Sequence, residues 1–166
     1  MPRLLYIPLQ QHVGAPAEVL VAGGDLVKKG QMIARSQGTI SASQHAPTSG
    51  RIESVTDVAA PHPSGLPQTT IIIEPDGKDE WADLPEPVAD PFAADLQVIR
   101  DRVAQAGVVG LGGAVFPAAV KLNLGTQYKI EILLINGAEC EPYITCDDRV
   151  MREYADEVID GARIVA

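Results

Sequence analysis

Short β-rich segments separated by turns fill the chain from residue 14 to residue 75. Glycine-containing turns at such close intervals leave room only for strands of a few residues. The β-rich segments are 18–21, 31–34, 51–55 and 69–73, and the turns are 23–25, 29–30, 48–50 and 63–65. No long repeat with helical spacing occurs in this region, so residues 1–76 are predicted to form an all-β module.

An acidic, proline-containing segment follows the β-rich region. Six carboxylates and one lysine lie between residues 76 and 91. A segment of this composition cannot bury much apolar surface, so residues 77–90 are predicted to be an extended linker. Trp81 is expected to pin the linker against one of the domains that flank it.

The spacing of apolar residues changes to that of helices after the linker. Asp90 and Pro91 are predicted to cap and begin a helix that Gly107 ends. Its apolar positions are Phe92, Leu96, Ile99, Val103 and Ala106. The apolar run 130–135 is predicted to be a buried parallel strand, and residues 148–166 have a second helical pattern.

This order of elements predicts the start of an α/β (Rossmann-like) domain over residues 91–166. One strand does not make a sheet, so this second domain is expected to be truncated. The predicted fold is therefore a two-part α+β chain.

Two motifs in the β-rich half resemble those of lipoyl and biotinyl domains. They are Gly-Asp-Leu-Val-Lys-Lys-Gly-Gln-Met-Ile at residues 24–33 and Ala-Pro-Thr-Ser-Gly-Arg-Ile at residues 46–52. The resemblance implies a flattened barrel-sandwich. A working carrier domain also needs a lysine between the motifs to bond its cofactor, and none lies between Lys29 and Lys78. The module is therefore expected to have a structural or docking role.

The histidines and cysteines do not form a metal or redox motif in the sequence. His12, His45 and His62 are scattered, without the spacing of metal ligands, and are interpreted as turn or surface residues. Cys140 and Cys146 have five residues between them, which fits neither a redox pair nor a ferredoxin motif. No metal site and no iron–sulfur cluster are expected in this chain.

Charge and hydropathy exclude two classes of partner. The net charge of −9 argues against nucleic acid, because affinity for a phosphate backbone depends on Lys and Arg. No apolar run approaches the roughly 20 residues that a membrane span needs. The first residues also lack the apolar stretch of a signal peptide. Any attachment to a membrane is therefore expected to depend on other subunits.

A glycine-rich loop at residues 110–117 precedes a helix-forming run at 118–122. Glycines let the backbone turn tightly and let a ligand approach closely. Free N–H groups beside a helix start, together with Lys121, predict a cradle for phosphate. The alternative interpretation is that the glycines form only a turn.

A polar loop, residues 136–143, follows the apolar run 130–135. Open α/β sheets bind ligands beyond the carboxyl ends of their strands, which is where this loop is expected. Glu139 and Glu141 offer acceptors for ribose hydroxyls or a carboxamide. The alternative is that both acids are solvated on a surface loop.

The two loops together resemble the RnfC component of Rnf-type complexes and, less closely, the flavoprotein subunit of respiratory NADH dehydrogenase. The motifs are Gly-Leu-Gly-Gly-Ala-Val-Phe-Pro at 110–117 and Asn-Gly-Ala-Glu-Cys-Glu-Pro-Tyr at 136–143. The resemblance implies an FMN- and NADH-binding domain, with no residue acting as catalytic acid or base. The residues it assigns to the cofactors are Gly110, Gly112, Gly113, Ala114, Phe116, Lys121, Asn136, Glu139 and Glu141.

Within that set the resemblance implies separate roles. The glycines and Ala114 would lie against FMN, Phe116 near the nucleotide pocket, and Lys121 toward the flavin phosphate. Asn136 would bond the flavin, and the two glutamates would line the NADH side. The two loops are expected to converge on one cleft.

The resemblance also implies a function for the whole protein. It would be a peripheral subunit of an ion-translocating oxidoreductase, on the cytoplasmic side of the bacterial inner membrane. Electrons would pass between NAD(H), flavin and two 4Fe-4S clusters carried by the full-length protein, and this fragment alone would be inactive. Its partners would be the other subunits of the complex, with ferredoxin or NADH as electron partner. The alternatives are a corrinoid reductase of a bacterial microcompartment and a non-catalytic docking module.

Overall fold

The first half of the chain forms two antiparallel sheets. The protein is described from a computed structural model, over residues 2–59, 61, 64–123 and 131–166. His62, Pro63 of the predicted turn 63–65, and Ile130 of the predicted strand lie outside these ranges. One sheet has the order β1-β7-β6-β3 and the other the order β2-β4-β5. The strands are β1 (Leu5–Pro8), β2 (Glu18–Val19), β3 (Leu26–Val27), β4 (Met32–Arg35), β5 (Gln44–His45), β6 (Gly50–Ala59) and β7 (Pro67–Pro75).

The core lies between these sheets and consists mainly of isoleucine. Ile33, Ile52, Ile71 and Ile73 are fully buried. β6 and β7 form the long central hairpin, with Ile52 opposite Ile73 in register. β-branched side chains suit such a pleated, buried surface, and burying each stabilises the fold by roughly 1.5–3 kcal/mol. The predicted all-β module is therefore observed, with the paired sheets expected of a barrel-sandwich.

The acidic segment after β7 lies on this barrel along its first residues. Lys29 and Trp81 pair as a parallel bridge, and the amide of Lys29 donates to the carbonyl of Glu80 at 2.8 Å. The Lys29 ammonium is 4.8 Å from the centroid of the Trp81 ring and 2.7 Å from Asp79 Oδ2. Gly30 leaves space for the indole, because a Cβ there would lie 2.9 Å from it. We call residues 76–82 the strap.

Two carboxylates of the strap are held by the barrel. Asp79 accepts from Lys29 and from the Thr48 hydroxyl, and these bonds, the lysine's first, lower the pKa of its carboxyl. Asp76 accepts from the Lys78 amide and the Ser49 hydroxyl, which likewise lower its pKa. Both therefore favour the folded state in their charged form.

Four helices follow the strap in the described residues. They are α1 (Leu96–Gln105), α2 (Ala118–Leu122), α3 (Cys146–Glu153) and α4 (Ala155–Val165). The predicted helix end at Gly107 is confirmed by its positive φ of 67°. Together with the barrel they give the predicted two-part α+β chain.

The predicted start of α1 at Pro91 is wrong. Asp90 Oδ1 accepts from the amide of Phe92 in a local turn. The cap is instead Asp95, whose Oδ1 accepts from the amide of Gln97 at 2.7 Å. Each aspartate accepts a hydrogen bond from the amide two residues later. The residue type alone therefore did not show which of them caps the helix.

Two further predictions in the second half differ from the structure. Residues 131–135 are not in a strand, and Leu134 is 85% exposed. A parallel strand needs a hydrogen-bonded neighbour, and no strand of the described second half supplies one. The predicted helix 148–166 begins two residues earlier and is interrupted at Tyr154, whose φ of −130° is not helical. None of the described helices combines the length and apolar character that a membrane crossing requires.

We expect the strap carboxylates to make stability depend on pH. The pKa of Asp79 is lower in the folded state than its ordinary value of about 3.9. Its stabilisation is therefore present above about pH 4 and lost as the pH falls through the folded pKa. Urea unfolding should find Asp79→Asn less stable than the parent at pH 7, with the difference shrinking below pH ~4. Asp83→Asn, on an exposed neighbouring carboxylate, is the control; an equal loss in both variants would contradict this role of Asp79.

The contact between Gly30 and Trp81 can be tested with two matched glycines. Gly30 and Gly24 both have positive φ, 78° and 96°, but only Gly30 faces the indole. Gly24→Ala should cost roughly 1–2 kcal/mol from backbone strain alone. Gly30→Ala should cost more and should increase acrylamide quenching of Trp81, the single tryptophan. Equal quenching in the two variants would show that the indole does not depend on Gly30.

Candidate functional site

The glycine loop, residues 110–117, is closed at its base by backbone hydrogen bonds. Val109 and Pro117 pair as an antiparallel bridge, and the amide of Gly110 donates to the carbonyl of Phe116 at 2.9 Å. The amide of Val115 donates to Gly112 in a turn at the tip. The base is therefore fixed, and the tip projects from it.

The tip of the loop offers unpaired donors. Among the described residues, the amides of Gly112 and Gly113 have no hydrogen-bond partner. Both residues are exposed, and a Cβ built at either would meet nothing within 4 Å. A ligand could therefore approach these amides without displacing protein atoms.

Lys121 lies next to Phe116, near the end of this loop. The Lys121 ammonium lies 5.8 Å from the centroid of the Phe116 ring, and the lysine is exposed. α2 has only five residues, so its dipole adds little to an anion site. Pro117 precedes the helix in an extended conformation, with ψ of 124°, and α2 coincides with the helix-forming run predicted at 118–122. The loop amides and the lysine are the donors that an anion would meet.

The polar loop is organised by its own hydrogen bonds. Asn136 Oδ1 accepts from the amide of Ala138 at 3.0 Å. Glu139 Oε1 accepts from the amide of Asp148, and its Oε2 accepts from Cys146 Sγ at 3.3 Å. Glu139 thus satisfies the start of α3, which Thr145, the residue at the cap, does not do with its side chain.

This double role of Glu139 was not predicted. The hydrogen bond to Glu139 is the main cause that raises the pKa of the Cys146 thiol, followed by burial. Side-chain ligand atoms of Glu139, Cys146 and Asp147 lie within 4.8 Å of one another. The thiol–carboxylate bond explains why Glu139 and Cys146 lie so close together. The signal available in the sequence was an acid, Glu139, seven positions before Cys146 and the predicted helix.

The glycine loop lies against the barrel. The amide of Val13 donates to the carbonyl of Ala114 at 3.2 Å. An open cleft of about 860 Å³ lies between the turn 10–14 and residues 113–115. A smaller cleft of about 320 Å³ lies between Val115 and the barrel residues around His45.

No hydrogen bond or ion pair within the described ranges joins the glycine loop to the polar loop. Neither of the two clefts is lined by residues of the polar loop. Glu141, like Asn136, is exposed. The expected convergence of the two loops on one cleft therefore stays a prediction.

His12 lies in the turn 10–14, one of the two places expected for the histidines, but it is buried there, with 7% of its surface exposed. Its Nδ1 donates to the carbonyl of Val13, and its Nε2 accepts from the amide of Ala42, both at 3.1 Å. His45 is partly buried, and this burial lowers its pKa, opposed by a hydrogen bond with the backbone of Gln105. Both histidines therefore lie where the barrel meets the second half of the chain.

Comparison with known proteins matches both halves of the chain. The RnfC barrel sandwich hybrid domain matches residues 1–78, and the Nuo51 FMN-binding domain matches residues 103–166. The chain is similar to the RnfC component of the ion-translocating oxidoreductase complex of Rhodobacter capsulatus, with 56% identity over 100% of this chain and 32% of that protein. The proteins of the same name from Haemophilus influenzae and Serratia proteamaculans are 49% and 47% identical, over 96% and 99% of this chain and 19% and 23% of theirs.

The chain thus spans no more than about a third of the length of these relatives. The two matched domains occur in the order predicted from the motifs, with the barrel before the flavin-binding part. The chain belongs to the RnfC family of ion-translocating oxidoreductase complexes, over its barrel-sandwich domain and the first part of its FMN-binding domain.

Proposed function

We propose that this chain is part of a peripheral subunit that passes electrons between NAD(H), a bound flavin and iron–sulfur clusters in an ion-translocating complex. The relatives are named as a component of an ion-translocating oxidoreductase complex, which supports this function. The match of residues 103–166 to an FMN-binding domain supports the flavin.

One observation of the structure carries the proposal. The glycine loop has exposed amides at Gly112 and Gly113 with no partner in the described part of the chain, and with open space where side chains would stand. Two successive backbone amides without side chains beside them fit the oxygens of a phosphate. The ammonium of Lys121, which lies near the loop beside Phe116, adds a positive charge. These residues therefore fit the phosphate end of FMN.

When bound, FMN would accept a hydride from NADH and release the electrons one at a time. The residues of this chain would bind and orient the flavin. Gly110, Gly112, Gly113 and Ala114 would lie along it, and Lys121 would balance the charge of its phosphate. Phe116 would lie near the nucleotide pocket. No side chain of the set is assigned a proton transfer.

Asn136, Glu139 and Glu141 would complete the nucleotide side of the site. Glu141 is exposed, so its carboxylate is available to a ribose hydroxyl. Glu139 is already bonded to Cys146 and Asp148 through both oxygens. It can accept an additional hydrogen bond from a nucleotide, since each carboxylate oxygen has two lone pairs, without releasing α3.

We place the intact subunit at the cytoplasmic side of the bacterial inner membrane, held there by the other subunits. NADH or ferredoxin would be its electron partner. Two 4Fe-4S clusters would be carried by parts of the full-length protein outside this chain, because its two cysteines, both exposed and free, are too few for even one cubane cluster.

The flavin site can be tested by charge reversal in the full-length subunit. We expect Lys121→Glu to weaken FMN binding, measured by flavin fluorescence quenching, by about tenfold or more, because a charged hydrogen bond contributes roughly 1.5–3 kcal/mol. Lys78→Glu, an exposed lysine on the barrel side, is the control and should bind FMN as the parent does. Equal binding by both variants would remove Lys121 from the site. No FMN binding by the parent would favour a docking module without nucleotide.

The bond between Glu139 and Cys146 can be tested separately. Glu139→Gln should bring the raised pKa of the Cys146 thiol back toward its ordinary value, because the carboxylate is its main cause. We therefore expect faster alkylation of Cys146 by iodoacetamide at pH 8, followed for each cysteine by mass spectrometry. Glu141→Gln changes an exposed acid with no described bond to Cys146 and should leave the rate unchanged. An unchanged rate in Glu139→Gln would show that the thiol and carboxylate do not interact in solution.

A further inference from the structure

The barrel and the second half of the chain meet through backbone contacts that leave little freedom. The amide of Val13 donates to the carbonyl of Ala114 at 3.2 Å. Gly107 approaches Ser43 so closely that a Cβ would lie 2.2 Å from the Ser43 carbonyl oxygen. The ring of His45 lies against the same glycine, 3.6 Å from the position of that Cβ. These contacts bracket the glycine loop, since one is made at its tip and two precede its base.

The turn that holds Ala114 is itself fixed from inside the barrel by His12. His12 is almost fully buried, and its two ring nitrogens bond two different backbone segments, at Val13 and Ala42. A carbonyl accepts at Nδ1 and an amide donates at Nε2, so only the neutral tautomer with hydrogen on Nδ1 satisfies both. The imidazole therefore links Ala42 of the barrel to Val13, and the amide of Val13 donates to Ala114.

The glycine loop contains one residue in an unfavourable backbone conformation. Val115 has a φ of 46°, a region that β-branched residues rarely enter. Val115 lines both clefts between the loop and the barrel, and His12 lines both with it. A strained residue persists where its surroundings over-determine it, and the surroundings here belong to the barrel.

We propose that the barrel-sandwich domain is a positioning element of the nucleotide site: the turn 10–14, locked by His12, holds the glycine loop at Ala114 with the Gly112 and Gly113 amides open to phosphate. The identity of the ligand rests on the proposed function, whereas the contact by which the turn 10–14 positions the loop does not. The barrel has no lysine between Lys29 and Lys78 to carry a swinging arm, and this gives it a positioning role instead. Coupling between sites is reciprocal, so FMN binding must in turn protect the Val13 amide from exchange.

Two variants of His12 in the full-length subunit separate positioning from simple packing. His12→Gln keeps a side-chain acceptor within reach of the Ala42 amide, whereas His12→Leu keeps similar bulk without any acceptor. The measurements are the FMN dissociation constant and hydrogen exchange of the Val13 and Ala42 amides. We expect His12→Leu to bind FMN about tenfold more weakly with faster exchange at both amides. His12→Gln should restore affinity to within about threefold of the parent.

The outcomes that overturn the proposal are distinct from those that overturn the flavin assignment. Parental FMN affinity in His12→Leu, despite faster exchange at Val13, would show that the barrel does not position the loop. If the parent itself binds no FMN, the proposed function fails. The positioning of the loop by the barrel is then tested by hydrogen exchange alone. An unchanged exchange rate of the Val13 amide in His12→Leu would refute it.

A pair of matched glycines tests the second contact without touching His12. Gly107 and Gly38 have nearly the same φ, 67° and 69°, but a Cβ at Gly38 would meet nothing within 4 Å. Gly107→Ala should force the loop base away from Ser43 and weaken FMN binding about tenfold. Gly38→Ala introduces the same backbone strain and should leave FMN binding unchanged. Equal FMN affinity in the two variants would contradict the positioning role of this interface.

Discussion

Burial of isoleucine between the two sheets is the interaction on which the other features depend. Ile33 comes from one sheet, and Ile52, Ile71 and Ile73 come from the other, so their contact fixes the sheets against each other. The strap lies on the outside of this barrel. The turn 10–14 also lies on the barrel surface, where it contacts the second half of the chain. Without the core, neither Lys29 nor His12 would have a fixed position from which to hold its partner.

The sequence predicted the elements whose causes are local. Closely spaced turns predicted the β module, and Gly107 predicted the end of α1, because a positive φ at a helix end is a property of one residue. The start of α1 was wrong, since Asp90 and Asp95 make equivalent bonds to the residue two positions on. The strand predicted at 130–135 depended on neighbours that the described second half does not provide.

The features of the site that were missed depend on distant residues. His12 bonds Ala42, thirty positions along the chain, and no spacing rule relates the two. Gly107 meets Ser43 across a still longer separation. By contrast, the open tip of the glycine loop follows from its composition, because glycines without side chains leave amides accessible. Motif resemblance supplied the family, and the structure supplied the contact between barrel and loop.

These relations give the barrel and the flavin loop one physical account: a rigid β module holds a strained, glycine-rich loop in place for an anion. The most direct test is an experimental structure of the full-length subunit with FMN bound. The account predicts flavin phosphate oxygens at about 3 Å from the Gly112 and Gly113 amides, with the bond from Val13 to Ala114 intact. A flavin phosphate held elsewhere, with the polar loop on the opposite side of the domain, would contradict it.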